Sequence, residues 1–184
     1  MISIDAKEIE KAKSLLKNYP QQVIAAAASA INRTSAMVKT EGSKTIRKNY
    51  LISAKDIKST LSIKRASRLK LTGMISSIGQ APLITAFRVR AYKKGPVRVQ
   101  VMKKNKPKPV LGLFIGSSLK GYVGAMQRKN LSMRYPLRIP HGPSVPQMFS
   151  ADRSMSVIAP FAEKTLNQRF LHEISYRYGK FGGR

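Results

Sequence analysis

His141 and His172 are the side chains that most readily suggest acid–base catalysis. His141 lies in the proline-rich segment PLRIPHGPSVPQMF at residues 136–149, and no nucleophile motif such as G-x-S-x-G surrounds it. His172 lies in a helical pattern beside Glu173, where a structural role is expected. The sequence has no cysteine, which excludes thiolate nucleophiles and cysteine-based metal sites.

Carboxylates are missing from the middle of the chain, since no Asp or Glu occurs between Asp56 and Asp152. Hydrolysis by paired carboxylates needs two acids that can converge, and this region supplies none. A nuclease metal site would have to combine Asp56 and Asp152 with helix residues, without a short motif to support it. We therefore predict that the protein is not an enzyme and uses no cofactor or metal.

Positive charge dominates the sequence, because 35 Lys and Arg against 8 Asp and Glu give a net charge of +27 and a pI near 10.9. Residues 57–151 hold 19 of these bases and no acid, whereas the flanking parts are closer to balance. Such an excess repels itself and attracts anions, so a polyanionic partner is expected. Nucleic acid is the first candidate, an acidic protein surface the second and anionic lipid the third.

Two segments with alternating residues predict an antiparallel β-hairpin in the basic region. In TAFRVRAY the apolar Phe87, Val89 and Ala91 alternate with arginines, and PVRVQVMK repeats the pattern. The arginines should share the face opposite the core, and the lysine loop after them should extend this face. The predicted contact residues for nucleic acid or an acidic rim are Arg88, Arg90, Arg98, Lys103, Lys104, Lys106 and Lys108. A solvated face that only keeps the protein soluble is the alternative.

Aromatic residues are few in this region, and Tyr92 and Tyr122 are the only ones in strands that could face the same way as the bases. A platform for single strands needs more stacking side chains. Duplex DNA or a protein rim therefore fits the predicted surface better.

The segment at residues 136–149 is better explained by architecture than by catalysis. Proline fixes φ and removes a backbone donor, so the segment should stay extended and outside any central sheet. It would deliver two apolar residues to the start of the last helix and form a rigid arm that docks against another subunit. The predicted docking residues are Pro140, Pro143, Pro146, Met148 and Phe149.

Helical signals precede the basic region. A capping box predicts a helix at residues 5–19, and apolar residues at helical spacing after Pro20 predict a long helix at 20–48. Ser53 and Asp56 predict the cap of a short helix. Besides the hairpin, strands are predicted at residues 61–64, 74–78, 110–115 and 122–128.

A final helix is predicted from Asp152, where apolar residues recur every four positions. Pro160 marks its first turn, or a kink if the helix starts earlier, and Gly179 is expected to end it. The fold class is α+β, with long N-terminal helices, an antiparallel β-sheet or small barrel and a C-terminal helix. We predict one domain over residues 1–184, with a helical part at 1–50, a basic β-rich core at 61–149 and the last helix at 152–179.

Several motifs, in their order along the chain, carry a resemblance to a known family. They are AINRT (30–34), SAKDIKSTLSIKRAS (53–67), FRVR (87–90), PVRVQVMKK (96–104), GYVGAMQRK (121–129) and LRIPHGPSVPQMF (137–149). With these motifs the sequence resembles the phage minor tail protein Z family, also called tail completion proteins. Together they span nearly the whole chain, and GPSVP is the most distinctive.

The resemblance implies a structural virion protein that completes the head-proximal end of a long tail, for joining to the head and positioning the DNA. It also implies a homo-oligomeric ring, expected to be a hexamer, in contact with the tail tube or tail terminator protein, head–tail connector proteins and genomic DNA. Its location would be the virion and, during assembly, the host cytoplasm. The sequence shows no secretory signal and no span apolar enough for a bilayer, so no membrane partner is expected. The alternative is a free basic DNA- or RNA-binding protein without a virion role.

Overall fold

The structure is a computed structural model that describes residues 20–117, 121 and 123–181. The helix predicted at residues 5–19 and the predicted strand residue Tyr122 lie outside the described residues. The helices are α1 (Pro20–Asn49), α2 (Ala54–Thr60), α3 (Val145–Ser150) and α4 (Asp152–Phe181), with a 3-10 turn at Ile84–Ala86. The strands are β1 (Leu61–Lys64), β2 (Met74–Ser77), β3 (Arg88–Arg90), β4 (Arg98–Gln100), β5 (Lys108–Pro109), β6 (Leu113–Ser117), β7 (Val123–Arg128) and β8 (Leu137–Arg138). These elements confirm the predicted α+β class.

The described strands form three small antiparallel sheets, with the orders β1-β2, β3-β4-β5 and β6-β7-β8. The chain divides into two compact units. Unit 1 contains the described residues 20–42, 61–77 and 151–181, and unit 2 contains the described residues of 43–60 and 78–150. The β1-β2 hairpin therefore groups with the long helices, although the sequence placed it in the basic β-rich core.

Unit 1 is built on the packing of α1 against α4. Its core cluster consists of Ala26, Ala27, Ala30, Leu166, Phe170 and Ile174. Because alanine carries only a methyl group, the two helices can approach closely, and the larger side chains of α4 fill the space between them. The apolar residues that recur every four positions along α4 are all buried, namely Ile158, Ala162, Leu166, Phe170 and Ile174.

A buried carboxylate links the same two helices. Glu173 on α4 pairs with Arg177 one turn later, at 2.5 Å from Nη1 to Oε2, and with Arg33 on α1, at 3.1 Å from Nε to Oε1. Arg177 also donates through Nη2 to the Ala25 carbonyl at 3.4 Å and to Ser29 Oγ at 3.1 Å. The network thus gives the buried carboxylate two cationic partners and gives the Ala25 carbonyl of α1 a donor from α4.

Two side chains of α1 hold the β1-β2 region of unit 1. The Asn32 amide donates to the Ala66 carbonyl at 3.0 Å and accepts from the Ala66 amide at 2.8 Å, as a paired strand would. Lys39 donates through Nζ to the Leu61 carbonyl at 2.5 Å. Asn32, in the AINRT motif, therefore has a structural role.

The last helix differs from its prediction at two points. Pro160 lies inside α4 and not in the first turn, since the helix begins at Asp152. Of the two alternatives, the earlier start is therefore the observed one. Gly179 does not end the helix, because it lies within the last turn and the helical residues continue to Phe181.

Side-chain caps start the short helices α2 and α3 of unit 2. Ser53 Oγ accepts from the Asp56 amide at 3.1 Å, as predicted for α2. Ser144 and Gln147 cap α3 reciprocally, because each backbone amide donates to the side-chain oxygen of the other residue, at 2.9 and 3.4 Å.

The prediction of an extended arm over residues 136–149 is wrong from residue 145 onward, where α3 begins. Pro146 fits there because a first-turn residue needs no intrahelical amide donor.

Candidate polyanion-binding surface

The β3-β4 hairpin places three predicted contact residues on one face. The antiparallel register sets Arg90 opposite Arg98, Arg88 opposite Gln100 and Val89 opposite Val99. Since opposite residues of an antiparallel pair share a face and neighbours alternate, the three arginines lie on the side away from the valines.

The apolar side of the hairpin fixes this orientation. Val97, Val99 and Phe87 are buried, so the alternating residues must point outward, and Arg88, Arg90 and Arg98 are exposed. The Arg98 guanidinium lies 5.6 Å from the centre of the Tyr92 ring, within the range of a cation–π contact.

The loop after β4 presents three of the predicted lysines, Lys103, Lys104 and Lys106, all exposed. Gln100 holds this loop, because its Nε2 donates to the carbonyl of Asn105 at 2.7 Å and to that of Lys103 at 3.3 Å. Gln100 was not identified from the sequence. Its only signal was its alternate position in PVRVQV, which predicts a polar outward residue but not its partners.

Lys108 does not lie on the arginine face. In the β4-β5 pairing Lys108 is opposite Val99, and Pro109 is opposite Arg98. Lys108 is exposed and belongs to the edge strand of the sheet. It therefore extends the positive charge around the sheet edge and not across the arginine face.

The charge of this surface is not neutralised within the described part of the chain, where none of the seven predicted contact residues forms an ion pair. The two sequence ranges of unit 2, 43–60 and 78–150, hold 19 Lys and Arg against one acid, Asp56, a net charge of +18. Arg90 and Arg98 are like charges directly opposite each other, an arrangement that destabilises a hairpin without an anion nearby.

The proline segment is partly built into unit 2. The Pro140 carbonyl accepts from the Ile84 amide, and the Gly142 amide donates to the Pro82 carbonyl, each at 2.9 Å. Exposed His141 lies between them and pairs through its backbone with Leu83.

The five predicted docking residues differ in accessibility. Met148 is fully buried within its own chain and offers no surface to another subunit. Pro140, Pro143, Pro146 and Phe149 are half-buried, so part of each remains accessible.

A second group of basic residues lies on the β7-β8 sheet and was not identified from the sequence. Arg128 lies 6.0 Å from the centre of the Phe114 ring, and Arg138 donates through Nε to Gln127 Oε1 at 3.0 Å. Arg134 lies 5.9 Å from the Tyr135 ring. Irregular spacing hides this group in the sequence, because the residues come from a strand, a loop and a two-residue strand.

Residues 20–117, 121 and 123–181 contain no cluster of three His, Asp or Glu side chains that could hold a metal ion. None of the described helices is both long and apolar enough to cross a membrane.

The fold and this surface define a small α+β protein with a polycationic sheet face. A family model described as Prophage minor tail protein Z (GPZ) matches residues 6–178. The chain belongs to this family of phage minor tail proteins, as the sequence motifs predicted, and it is accordingly a structural tail protein of the virion. No curated protein and no solved structure gives a significant match.

Proposed function

We propose that this chain completes the head-proximal end of a long phage tail, where it joins the tail to the head and helps to position the end of the DNA. The arginine face of the β3-β4 hairpin supports this proposal most directly. It exposes Arg88, Arg90 and Arg98 in a unit with a single acid, so a polyanion is the complement its charge requires. The packaged genome carries such charge at high density, and an acidic rim of the tail provides the same chemistry.

The binding follows from electrostatics and geometry. Arginines that contact phosphates release condensed counterions, which gives affinity without dependence on base sequence. The loop that Gln100 holds by hydrogen bonds adds the charges of Lys103, Lys104 and Lys106 beside the hairpin. A protein that must accept any genomic sequence gains from such contacts and needs no base readout.

We further propose that copies of the chain form a closed homo-oligomeric ring, with six as the expected number, in contact with the tail tube or terminator protein and with head–tail connector proteins. A ring needs a heterologous interface, in which two different surfaces of neighbouring copies meet. The accessible parts of Pro140, Pro143 and Phe149 are candidates for one side of it, because hydrogen bonds to residues 82–84 hold the start of this segment.

The test replaces Arg88, Arg90 and Arg98 together by Gln. Each lost phosphate contact should reduce the slope of log K against log salt by about 0.9 on duplex DNA, so the variant should lose up to about 2.7. The matched control changes Arg65, Arg68 and Lys70 to Gln, which removes the same charge from exposed residues of unit 1. The control should shift the slope less, because these residues lie outside the proposed face.

The same variants should be tested in a phage that lacks the native gene. We expect the face variant to leave heads and tails unjoined or DNA poorly retained in electron micrographs, and the control to restore infectivity. Normal infectivity together with unchanged salt-dependent DNA binding of the face variant would refute the proposal. Absence of the protein from purified virions would instead favour the free nucleic-acid-binding alternative.

A further inference from the structure

Residues 129–136 form a loop between β7 and β8, here called the apolar loop. All eight residues are exposed, and three of them are large apolar side chains at alternate positions, Leu131, Met133 and Tyr135, with 59%, 55% and 60% of their surface accessible. Isolated exposed apolar residues are ordinary, but three large ones in one short loop mark a contact surface.

The loop is held in place before any partner binds. At its base the Lys129 amide donates to the Pro136 carbonyl at 3.0 Å, and at its tip the Met133 amide donates to the Asn130 carbonyl at 3.3 Å. These two hydrogen bonds restrict the backbone of the loop, which reduces the entropy lost on binding.

Basic residues lie within the apolar loop and at its base. Arg134 stacks beside Tyr135, and Arg128, Lys129 and Arg138 lie at or next to the base of the loop. No acid occurs between residues 57 and 151. A matching partner must therefore offer an apolar groove with a rim of carboxylates.

This chemistry distinguishes the loop from the arginine face. Phosphates bind the arginines of β3 and β4, but Leu131 and Met133 add nothing to the affinity for phosphate. In a protein groove, apolar and basic residues both add to the affinity. For this loop a second copy of the chain is a poorer partner than an acidic protein, because each copy carries a net charge of +27.

We propose that the apolar loop docks this chain onto an acidic-rimmed apolar groove of another tail protein, while the arginine face is left for DNA. The inference rests on the proposed function in its choice of a tail component as partner. Leu131, Met133 and Tyr135 enter the groove, and Arg134 pairs with its rim. The two basic surfaces of unit 2 thus serve different partners.

The experiment measures cosedimentation of the purified protein with tails isolated from phage that lack it. Changing Leu131, Met133 and Tyr135 together to Ser should weaken tail binding by about thirtyfold or more, the loss typical of interface hot spots. DNA binding and its salt slope should remain as in the wild type. The matched control changes Leu69, Leu71 and Met74 to Ser, which are exposed apolar residues of unit 1, and should bind tails normally.

A second variant, Arg134→Glu, leaves the three apolar side chains in place and reverses one charge at an exposed position of the loop. This variant should bind tails more weakly than the wild type at low salt. The difference in affinity should be smaller at high salt, because salt screens the repulsion between the introduced carboxylate and the carboxylate rim.

Four results would overturn the inference. Wild-type tail binding by both loop variants would show that the loop is not the docking element. Loss of DNA binding by the apolar triple variant would assign the loop to DNA. Loop-dependent self-association or binding to anionic lipid vesicles, without loop-dependent tail binding, would assign it to a copy of the chain or to a membrane. Failure of the wild-type protein itself to bind tails would contradict the proposed function as well. The first three results would contradict only the role of the loop.

Discussion

The charge network of Glu173 allows a quantitative test of unit 1. The Glu173 side chain is 5% exposed and that of Arg177 is 15% exposed, whereas Arg33 is 57% exposed. Glu173→Gln keeps the size of the side chain but removes its charge, which leaves the Arg177 guanidinium largely buried without a counterion. Breaking a buried pair in this way costs about 3–5 kcal/mol, and the exposed Arg33 pair adds at most about 1 kcal/mol.

We therefore expect Glu173→Gln to lower the free energy of unfolding by about 3 kcal/mol or more, and Arg33→Gln by no more than about 1 kcal/mol. Urea unfolding followed by circular dichroism at the helix band is the suitable assay, because guanidinium chloride would screen the ion pairs and the sequence has no tryptophan. Glu163→Gln, at an exposed position of the same helix, is the matched control and should change stability little. Equal losses for Glu173→Gln and Arg33→Gln would show that the buried carboxylate does not hold the helices together.

Two further substitutions test unit 2. Gly142→Ala should lower the free energy of unfolding by about 1–3 kcal/mol in thermal or urea melts, because the added Cβ would overlap the Phe87 ring; unchanged stability would mean that the ring moves aside easily. Gln100→Ala removes the two hydrogen bonds that hold the lysine loop and should cost about 1 kcal/mol of stability. With Gln100→Ala the DNA affinity should fall modestly while the salt slope is kept, since no charge is lost; a reduced slope would contradict the positioning role.

The parts of the fold that could be predicted are those with a local repeating signal. The helical spacing after Pro20 predicted α1 to within a residue of its observed end at Asn49, and the alternation in FRVR and PVRVQV predicted the β3-β4 hairpin and its arginine face. Both patterns arise because one side of a regular element must be apolar to be buried. Ser53 and Asp56 likewise predicted the start of α2, because the capping bonds are local.

The parts that could not be predicted depend on short elements or on partners far away in sequence. Strands β5 and β8 have two residues each, too few to show a period, so the position of Lys108 opposite Val99 was not foreseen. The pairing of Glu173 with Arg33 joins residues on two separate helices, which no local pattern reports. The α3 capping box was visible as S-x-x-Q at Ser144, but the prolines around it gave the stronger and misleading signal for an extended segment.

The two units differ in how their charged side chains are paired. Unit 1 pairs its buried Glu173 carboxylate with arginines of its own chain. Unit 2 has one acid for 19 bases, and its exposed arginines have no counterion among the described residues. A molecule that binds the folded form and neutralises this charge stabilises it by mass action, so assembly and stability are coupled in unit 2. The surfaces that look unfavourable in the isolated chain are therefore the ones expected to hold it in the virion.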